Sequence, residues 1–180
     1  MDERILFVDD DPNILEAYQR KLQRVLAVET ALGGEEGLRI LGERGPFAVV
    51  VADMQMPQMD GIEFLSQVKE RYPETVRMML TGNADTRVAI QAVNEGKIFR
   101  FLTKPCPADI FGKSLVAGLN QYRLICAEKE LLEGTVSGVV ELLAEVLSWV
   151  DPEAFGRTMQ LRNYVKTIAA LLHRKDLNEI

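Results

Sequence analysis

Three carboxylates, one hydroxyl and one amine follow short apolar segments at widely separated points of the sequence. Asp9 and Asp10 come directly after the first such segment, and Asp53, Thr81 and Lys104 come at the ends of later ones. Carboxylate oxygens suit Mg²⁺, an aspartate can act as a nucleophile, and phosphoryl transfer depends mainly on positioning and charge stabilisation. The sequence therefore indicates phosphoryl chemistry, provided that the segments bring these side chains together.

The apolar segments alternate with helical patterns along the first two thirds of the chain. Strands are predicted over residues 5–8, 25–30, 47–52, 76–80 and 98–102, and helices over 12–22, 35–41, 62–71 and 85–95 and from 109 onward. This alternation favours an α/β fold, a doubly wound five-stranded parallel sheet with helices on both faces. Open sheets of this kind bind ligands at the carboxyl edge of their strands, where the five polar groups would meet.

Each of these residues also has an ordinary structural interpretation. Asp11 precedes a proline and is expected to be the N-cap of the first helix rather than part of the site. Asp9 and Asp10 alone could form a solvated loop, Thr81 could cap a strand end, and Lys104 could lie on the surface. The functional interpretation is favoured because the whole set follows strands that would end at one edge of the same sheet.

The composition narrows the class of protein. The chain has 180 residues, of which 47% are hydrophobic and 27% charged, with a formal net charge of −6. The acidic balance argues against nucleic-acid partners and anionic membranes, and no apolar stretch reaches the roughly 20 residues of a membrane span. Two cysteines are too few for a disulfide framework, and the first residues lack a signal-peptide pattern, so a cytoplasmic protein is expected.

Four motifs together resemble the CheY-like receiver domain of two-component response regulators. They are ILFVDDDP at 5–12, DMQMPQMDG at 53–61, LTG at 80–82 and FLTKP at 101–105. The resemblance covers residues 1–122 and implies a flavodoxin-like fold. It also implies a phosphoprotein that receives a phosphoryl group from a sensor histidine kinase or phosphotransfer protein. No enzymatic activity is implied beyond self-phosphorylation and self-dephosphorylation.

The same resemblance assigns chemical roles to single residues. Asp53 would be the phosphoacceptor. Asp9 and Asp10 would hold Mg²⁺, together with Asp53 and the main-chain carbonyl of Gln55. Lys104 would contact the phosphoryl group. The cofactor implied by the resemblance is therefore a magnesium ion at the carboxyl edge of the sheet.

The resemblance further implies a conformational switch. Thr81 would move toward the phosphoryl group, and Phe101 would turn inward behind it, which would change the face formed by the helix over 85–95, the last strand and the last helix of the receiver. The peptide bond between Lys104 and Pro105 would be cis.

Residues 123–180 are predicted to be a helical output or dimerisation segment. Gly134 and Thr135 are expected to interrupt the helix that starts near residue 109, a densely apolar helix is predicted over 136–150, and another follows Pro152. The helix over 136–150 is too apolar to stay exposed. It should pack on the last helix of the tail or on the same element of a second chain, which would form a homodimer.

Parts of this tail resemble the start of HD-GYP-type phosphohydrolase domains, at residues 131–138, 150–157 and 161–165. Arg157 stands where that family has a histidine, and the single histidine, His173, is expected to be an ordinary helix residue. The alternative function is therefore the regulatory part of a cyclic-dinucleotide phosphodiesterase whose catalytic residues lie beyond Ile180. A haloacid-dehalogenase-like phosphatase is a second alternative, but it would need an acidic residue at position 55, where this chain has Gln55. A DNA-binding regulator is a third alternative and is disfavoured by the acidic tail.

Overall fold

A computed structural model describes residues 3–82 and 98–150 of the chain. Strands and helices alternate in the described part, as the hydrophobic pattern predicts. In chain order they are β1 (Arg4–Asp9), α1 (Pro12–Leu22), β2 (Ala27–Leu32), α2 (Gly34–Arg44), β3 (Val49–Asp53), α3 (Gly61–Arg71), β4 (Val76–Thr81), β5 (Arg100–Thr103) and α4 (Ala108–Val150).

The five strands form one sheet in the order β2-β1-β3-β4-β5, and all four pairings are parallel. The predicted flavodoxin-like sheet is thus confirmed. Both β1 and β3 have neighbours on each side, so their carboxyl ends lie side by side at the middle of the sheet edge. In this register Asp53 is opposite Leu80, and Thr81 is opposite Thr103.

Two apolar cores, one on each face of the sheet, hold the helices in place. Alternate strand residues point to opposite faces, as the pleat of a β-strand requires. One core packs α2 and α3 on the sheet through residues that include Ile40, Leu41, Phe64, Leu65 and Val68. The other packs α1 and the first part of α4 through Leu15, Phe111, Leu115 and Leu119.

Strand β2 begins two residues later than the hydrophobic pattern predicts. The backbone N–H groups of Val25 and Leu26 both donate to the carbonyl of Leu22, at 2.9 Å. These two residues therefore complete the turn after α1 instead of joining the sheet, and the side chain of Val25 is exposed. The predicted helix over 85–95 lies outside the described residues.

The predicted interruption at Gly134 and Thr135 is wrong, because α4 continues through both residues to Val150. The Thr135 hydroxyl donates a hydrogen bond to the carbonyl of Leu131 at 2.7 Å, so this polar side chain has a partner within the helix. An isolated glycine costs a helix only about 1 kcal/mol relative to alanine, which the neighbouring helix formers offset. Residues 151–180, with Arg157 and His173, lie outside the described residues.

The chain divides into two compact units, Met1–Glu128 and Lys129–Ile180. The predicted domains 1–122 and 123–180 stay a prediction. The described part of the second unit carries large apolar side chains that are 44–76% exposed: Leu131, Leu132, Val139, Val140, Leu142, Leu143, Val146 and Trp149. Within residues 3–82 and 98–150, no helix combines the length and apolar character needed to cross a membrane.

Candidate functional site

Three carboxylates meet where the two central strands end. Asp9 is the last residue of β1, Asp53 is the last residue of β3, and both are buried. Asp10 follows β1 and is exposed. One carboxylate oxygen from each of the three lies within 4.8 Å of the others. The parallel pairing of β1 with β3 therefore brings together acids that are more than forty residues apart in sequence.

The side chain of Lys104 joins two of these acids. Its Nζ lies 3.0 Å from Oδ2 of Asp9 and 2.6 Å from Oδ1 of Asp53. Burial alone would lower the pKa of Lys104, but its hydrogen bonds to Asp53 and Asp9 outweigh that effect and raise its pKa above the ordinary value. The amine is therefore a permanent cation at neutral pH, held between two carboxylates.

The backbone around Lys104 fixes the direction of this side chain. The N–H of Lys104 donates to the carbonyl of Thr81 at 2.8 Å, which ties the residue after β5 to the end of β4. The peptide bond between Lys104 and Pro105 is cis, as the resemblance implied.

Backbone N–H groups hold the remaining carboxylate oxygens. The N–H of Asp11 donates to Oδ1 of Asp9 at 3.0 Å, and the N–H of Gln55 donates to Oδ2 of Asp53 at 3.1 Å. Asp11 itself caps α1, because its carboxylate accepts from the N–H of Asn13 at 2.8 Å. The expected cap role of Asp11 agrees with this geometry. The role of the Gln55 carbonyl stays a prediction.

The first residue of α3, Gly61, contacts the backbone of Met54, the residue that follows Asp53. The N–H of Gly61 donates to the carbonyl of Met54 at 2.9 Å, and Asp60 caps the helix by accepting from the N–H of Glu63 at 2.8 Å. A Cβ at position 61 would collide with the carbonyl oxygen of Asp53 and lie 2.9 Å from Cα of Met54. Glycine is therefore required where α3 approaches the site.

Thr81 is fully buried at the end of β4, and its hydroxyl has two acceptors among residues 3–82 and 98–150. Oγ1 lies 3.3 Å from Sδ of Met54 and 3.0 Å from the carbonyl oxygen of Gly82. Sequence reasoning missed the contact with Met54, whose only signal was its place directly after Asp53. Phe101 is half-buried and packs against the core under α2 and α3. Phe101 lies two residues before Thr103 on β5, and Thr103 pairs with Thr81 on β4.

The donor set fits a hard divalent cation. Octahedral Mg²⁺ binds carboxylate oxygens at about 2.0–2.1 Å and keeps several waters, so a few clustered carboxylates suffice. Three carboxylates facing the single ammonium of Lys104 leave a net charge of −2, which such an ion would balance. Asp9, Asp10 and Asp53 are the residues that could hold it.

The sequence matches the family described as the response regulator receiver domain over residues 5–115. Among curated proteins it resembles the hydrogenase transcriptional regulatory protein HoxA of Cupriavidus necator. The two are 37% identical over 105 residues, which is 58% of this chain and 22% of that protein. The chain thus spans about a fifth of the length of this relative.

Solved structures show the same fold. A receiver domain protein from Clostridium thermocellum is 34% identical with a TM-score of 0.65, over 68% of this chain and 98% of that chain. A structure described as adenylate cyclase from Rhodopirellula baltica is 41% identical with a TM-score of 0.72, over 74% and 98%. The response regulator TrrA of Thermotoga maritima, solved with Mg²⁺ and BeF, is 26% identical with a TM-score of 0.58, over 65% and 99%.

Proposed function

The chain belongs to the response regulator receiver family, and on that premise we propose that Asp53 accepts a phosphoryl group from a phosphohistidine of a sensor kinase or phosphotransfer protein. One observation carries this proposal. The buried carboxylate of Asp53 lies at the end of a central strand, 2.6 Å from the ammonium of Lys104 and within 4.8 Å of two further carboxylates. Asp9 is also buried and belongs to the same cluster, but it lies farther from the ammonium of Lys104, at 3.0 Å, and outside the motif DMQMPQMDG at 53–61.

The transfer is a displacement at phosphorus. A carboxylate oxygen of Asp53 forms the new bond to phosphorus while the bond between phosphorus and the donor histidine nitrogen breaks. The N–H of Gln55 holds Oδ2 of Asp53 and so orients the carboxylate before reaction. Lys104 supplies positive charge beside the reacting oxygen, which reduces the repulsion between the carboxylate and the incoming phosphoryl oxygens.

Asp9, Asp10 and Asp53, with the main-chain carbonyl of Gln55, would hold Mg²⁺ in this proposal. When bound, the ion would neutralise charge on the phosphoryl oxygens. The carboxylate of Asp9 is oriented for this task by the N–H of Asp11 and by Lys104. A relative of this chain was solved with Mg²⁺ and BeF, which supports the same ion here.

The response to phosphorylation would begin at Thr81. Its hydroxyl would donate to a phosphoryl oxygen on Asp53, and the half-buried ring of Phe101 would turn inward behind it. Phosphorylation thereby biases an equilibrium between two conformations that the protein already samples. The β4–β5 pairing supports this link, because Thr81 and Phe101 lie on adjacent strands and on the same face of the sheet.

Residues 123–180 would respond to this conformational change by packing differently. The exposed Leu132, Val139 and Val146 recur every seven residues on α4, and Leu142 and Trp149 follow the last two at a spacing of three. This spacing is that of a helix that pairs with a second helix, and it supports a homodimer of two copies. Membership of the receiver family supports a location in the cytoplasm. The transcriptional regulator HoxA is a much longer protein, of which this chain matches 22%.

The experiment uses a small phosphodonor with Mg²⁺ and reads the intact mass of the protein. The wild type should gain one phosphoryl group, and it should gain none when a chelator replaces Mg²⁺. Asp53→Asn should not be modified. Asp60→Asn is the matched control from the same loop, because asparagine also caps a helix, and it should be modified like the wild type. Equal modification of the wild type and Asp53→Asn would overturn the proposal.

A further inference from the structure

The thioether of Met54 lies beside the hydroxyl of Thr81 in a part of the site that the reaction itself does not use. Thr81 Oγ1 is 3.3 Å from Met54 Sδ; the threonine is fully buried and the methionine is 9% exposed. We propose that Met54 is a positioning residue that holds the Thr81 hydroxyl in the unphosphorylated protein and so sets how readily the site accepts a phosphoryl group. This inference rests on the proposed role of Thr81.

The backbone leaves Met54 little freedom to leave this position. Its N–H donates to the carbonyl of Leu80 at 2.9 Å, and its carbonyl accepts from the N–H of Gly61 at 2.9 Å. The Met54 side chain packs in the core under α2 and α3. The sulfur is therefore held next to Thr81 by the same strand pairing and helix start that position Asp53.

The contact competes with the proposed switch because a hydroxyl has only one proton to donate. In the structure that proton can go to the sulfur of Met54 or to the carbonyl of Gly82, 3.0 Å away. When Thr81 donates that proton to a phosphoryl oxygen, it can donate to neither of these two acceptors. A bond to either of these two acceptors therefore stabilises the resting conformation relative to the phosphorylated one.

Met54 is the acceptor that substitution can remove. The Gly82 carbonyl belongs to the backbone, whereas Met54→Leu replaces the thioether by a side chain of similar volume and keeps the apolar packing. A sulfur is a weak acceptor, so the effect lies at the lower end of the range for a hydrogen bond. We expect Met54→Leu to tighten the binding of a phosphoryl mimic by about two- to fivefold.

The test is a double-mutant cycle on the full chain, with beryllofluoride and Mg²⁺ as the phosphoryl mimic and calorimetry as the readout. Met54→Leu is compared with the wild type, and the double variant Met54→Leu/Thr81→Val is compared with Thr81→Val. The gain in affinity should be present in the first comparison, where the hydroxyl remains, and absent in the second, where it has been removed. Met56→Leu is the matched control, since Met56 is 7% exposed and packs in the same core. It should leave the affinity unchanged.

The outcomes separate this inference from the proposed function. An equal change of affinity in both backgrounds would overturn the role of Met54, because the effect would then arise from packing and not from the hydroxyl. An unchanged affinity in Met54→Leu would overturn it as well. Failure of the wild type to bind the mimic through Asp53 would instead overturn the proposed function.

Discussion

The ammonium nitrogen of Lys104 lies 2.6 Å from Oδ1 of Asp53, the carboxylate that we propose to be phosphorylated. The same nitrogen also binds Asp9, at 3.0 Å, and both carboxylates are nearly buried. A single cation thus stabilises two acids at the ends of neighbouring strands. It also places a positive charge beside two of the three carboxylates that would hold Mg²⁺.

Replacing this cation should strengthen Mg²⁺ binding. Lys104→Met removes a positive charge that repels the ion, and we expect the affinity for Mg²⁺ to rise about three- to tenfold, or roughly 0.7–1.4 kcal/mol. Direct titration with Mg²⁺ measures this. Lys113→Met is the control, because Lys113 is 81% exposed and 3.9 Å from its partner, Asp109. An unchanged Mg²⁺ affinity in Lys104→Met would show that the amine and the ion do not share this site.

The raised pKa of Lys104 should appear in the stability of the protein at alkaline pH. Its ordinary value is 10.5, and the folded protein raises it because Asp53 and Asp9 favour the charged form. The stabilisation is therefore complete below pH 10.5 and is lost as the pH rises through the higher folded pKa. Denaturant unfolding of the wild type and Lys104→Met should show a constant difference up to about pH 10.5 that narrows above it. A stability of the wild type, relative to Lys104→Met, that increases between about pH 8 and 10.5 would mean that burial dominates and lowers this pKa, because the unfolded chain would then bind the proton that the folded protein releases.

Gly61→Ala should destabilise the receiver, because a Cβ at this position meets the backbone of Asp53 and Met54. We expect a loss of about 1–3 kcal/mol in the free energy of unfolding, as for other overpacked sites. Gly112→Ala is a matched control on α4, where a Cβ would meet nothing within 4 Å. A neutral Gly61→Ala would show that α3 does not approach the site as closely as described.

Gly134→Ala should stabilise the protein, because α4 passes through this residue and a Cβ there would meet nothing within 4 Å. The expected gain in the free energy of unfolding is about 0.5–1 kcal/mol. On heating toward the transition, the variant should keep more of its helical circular dichroism signal than the wild type. Gly138→Ala tests the same point one turn later and should behave alike. A destabilised Gly134→Ala would support the interruption that the sequence pattern indicated.

The sheet was predictable because its strands are short apolar segments that end in polar groups. Val49–Asp53 is buried along its whole length, and such a segment has few alternatives to a central parallel strand. The convergence of Asp9, Asp10 and Asp53 follows from that topology alone. The start of β2 was not predictable from apolar residues, because Val25 is apolar yet belongs to the turn after α1.

The finer parts of the site depend on three-dimensional placement that no local pattern encodes. Lys104 was expected to meet a phosphoryl group, but its bonds to both Asp9 and Asp53 depend on how β5 pairs with β4. The contact between Met54 and Thr81 likewise depends on the β3–β4 register. The predicted interruption at Gly134 is wrong because one glycine does not end a helix that has a long run of helix-forming residues on either side.

The most direct test of the central claim is to map the phosphorylated residue. The protein is treated with acetyl phosphate and Mg²⁺, the acyl phosphate is trapped by borohydride reduction, and peptides are sequenced by mass spectrometry. We expect one modified residue, Asp53, and no modified peptide from Asp53→Asn. Trapping at any other aspartate in the wild type, or the same modification in Asp53→Asn, would contradict it.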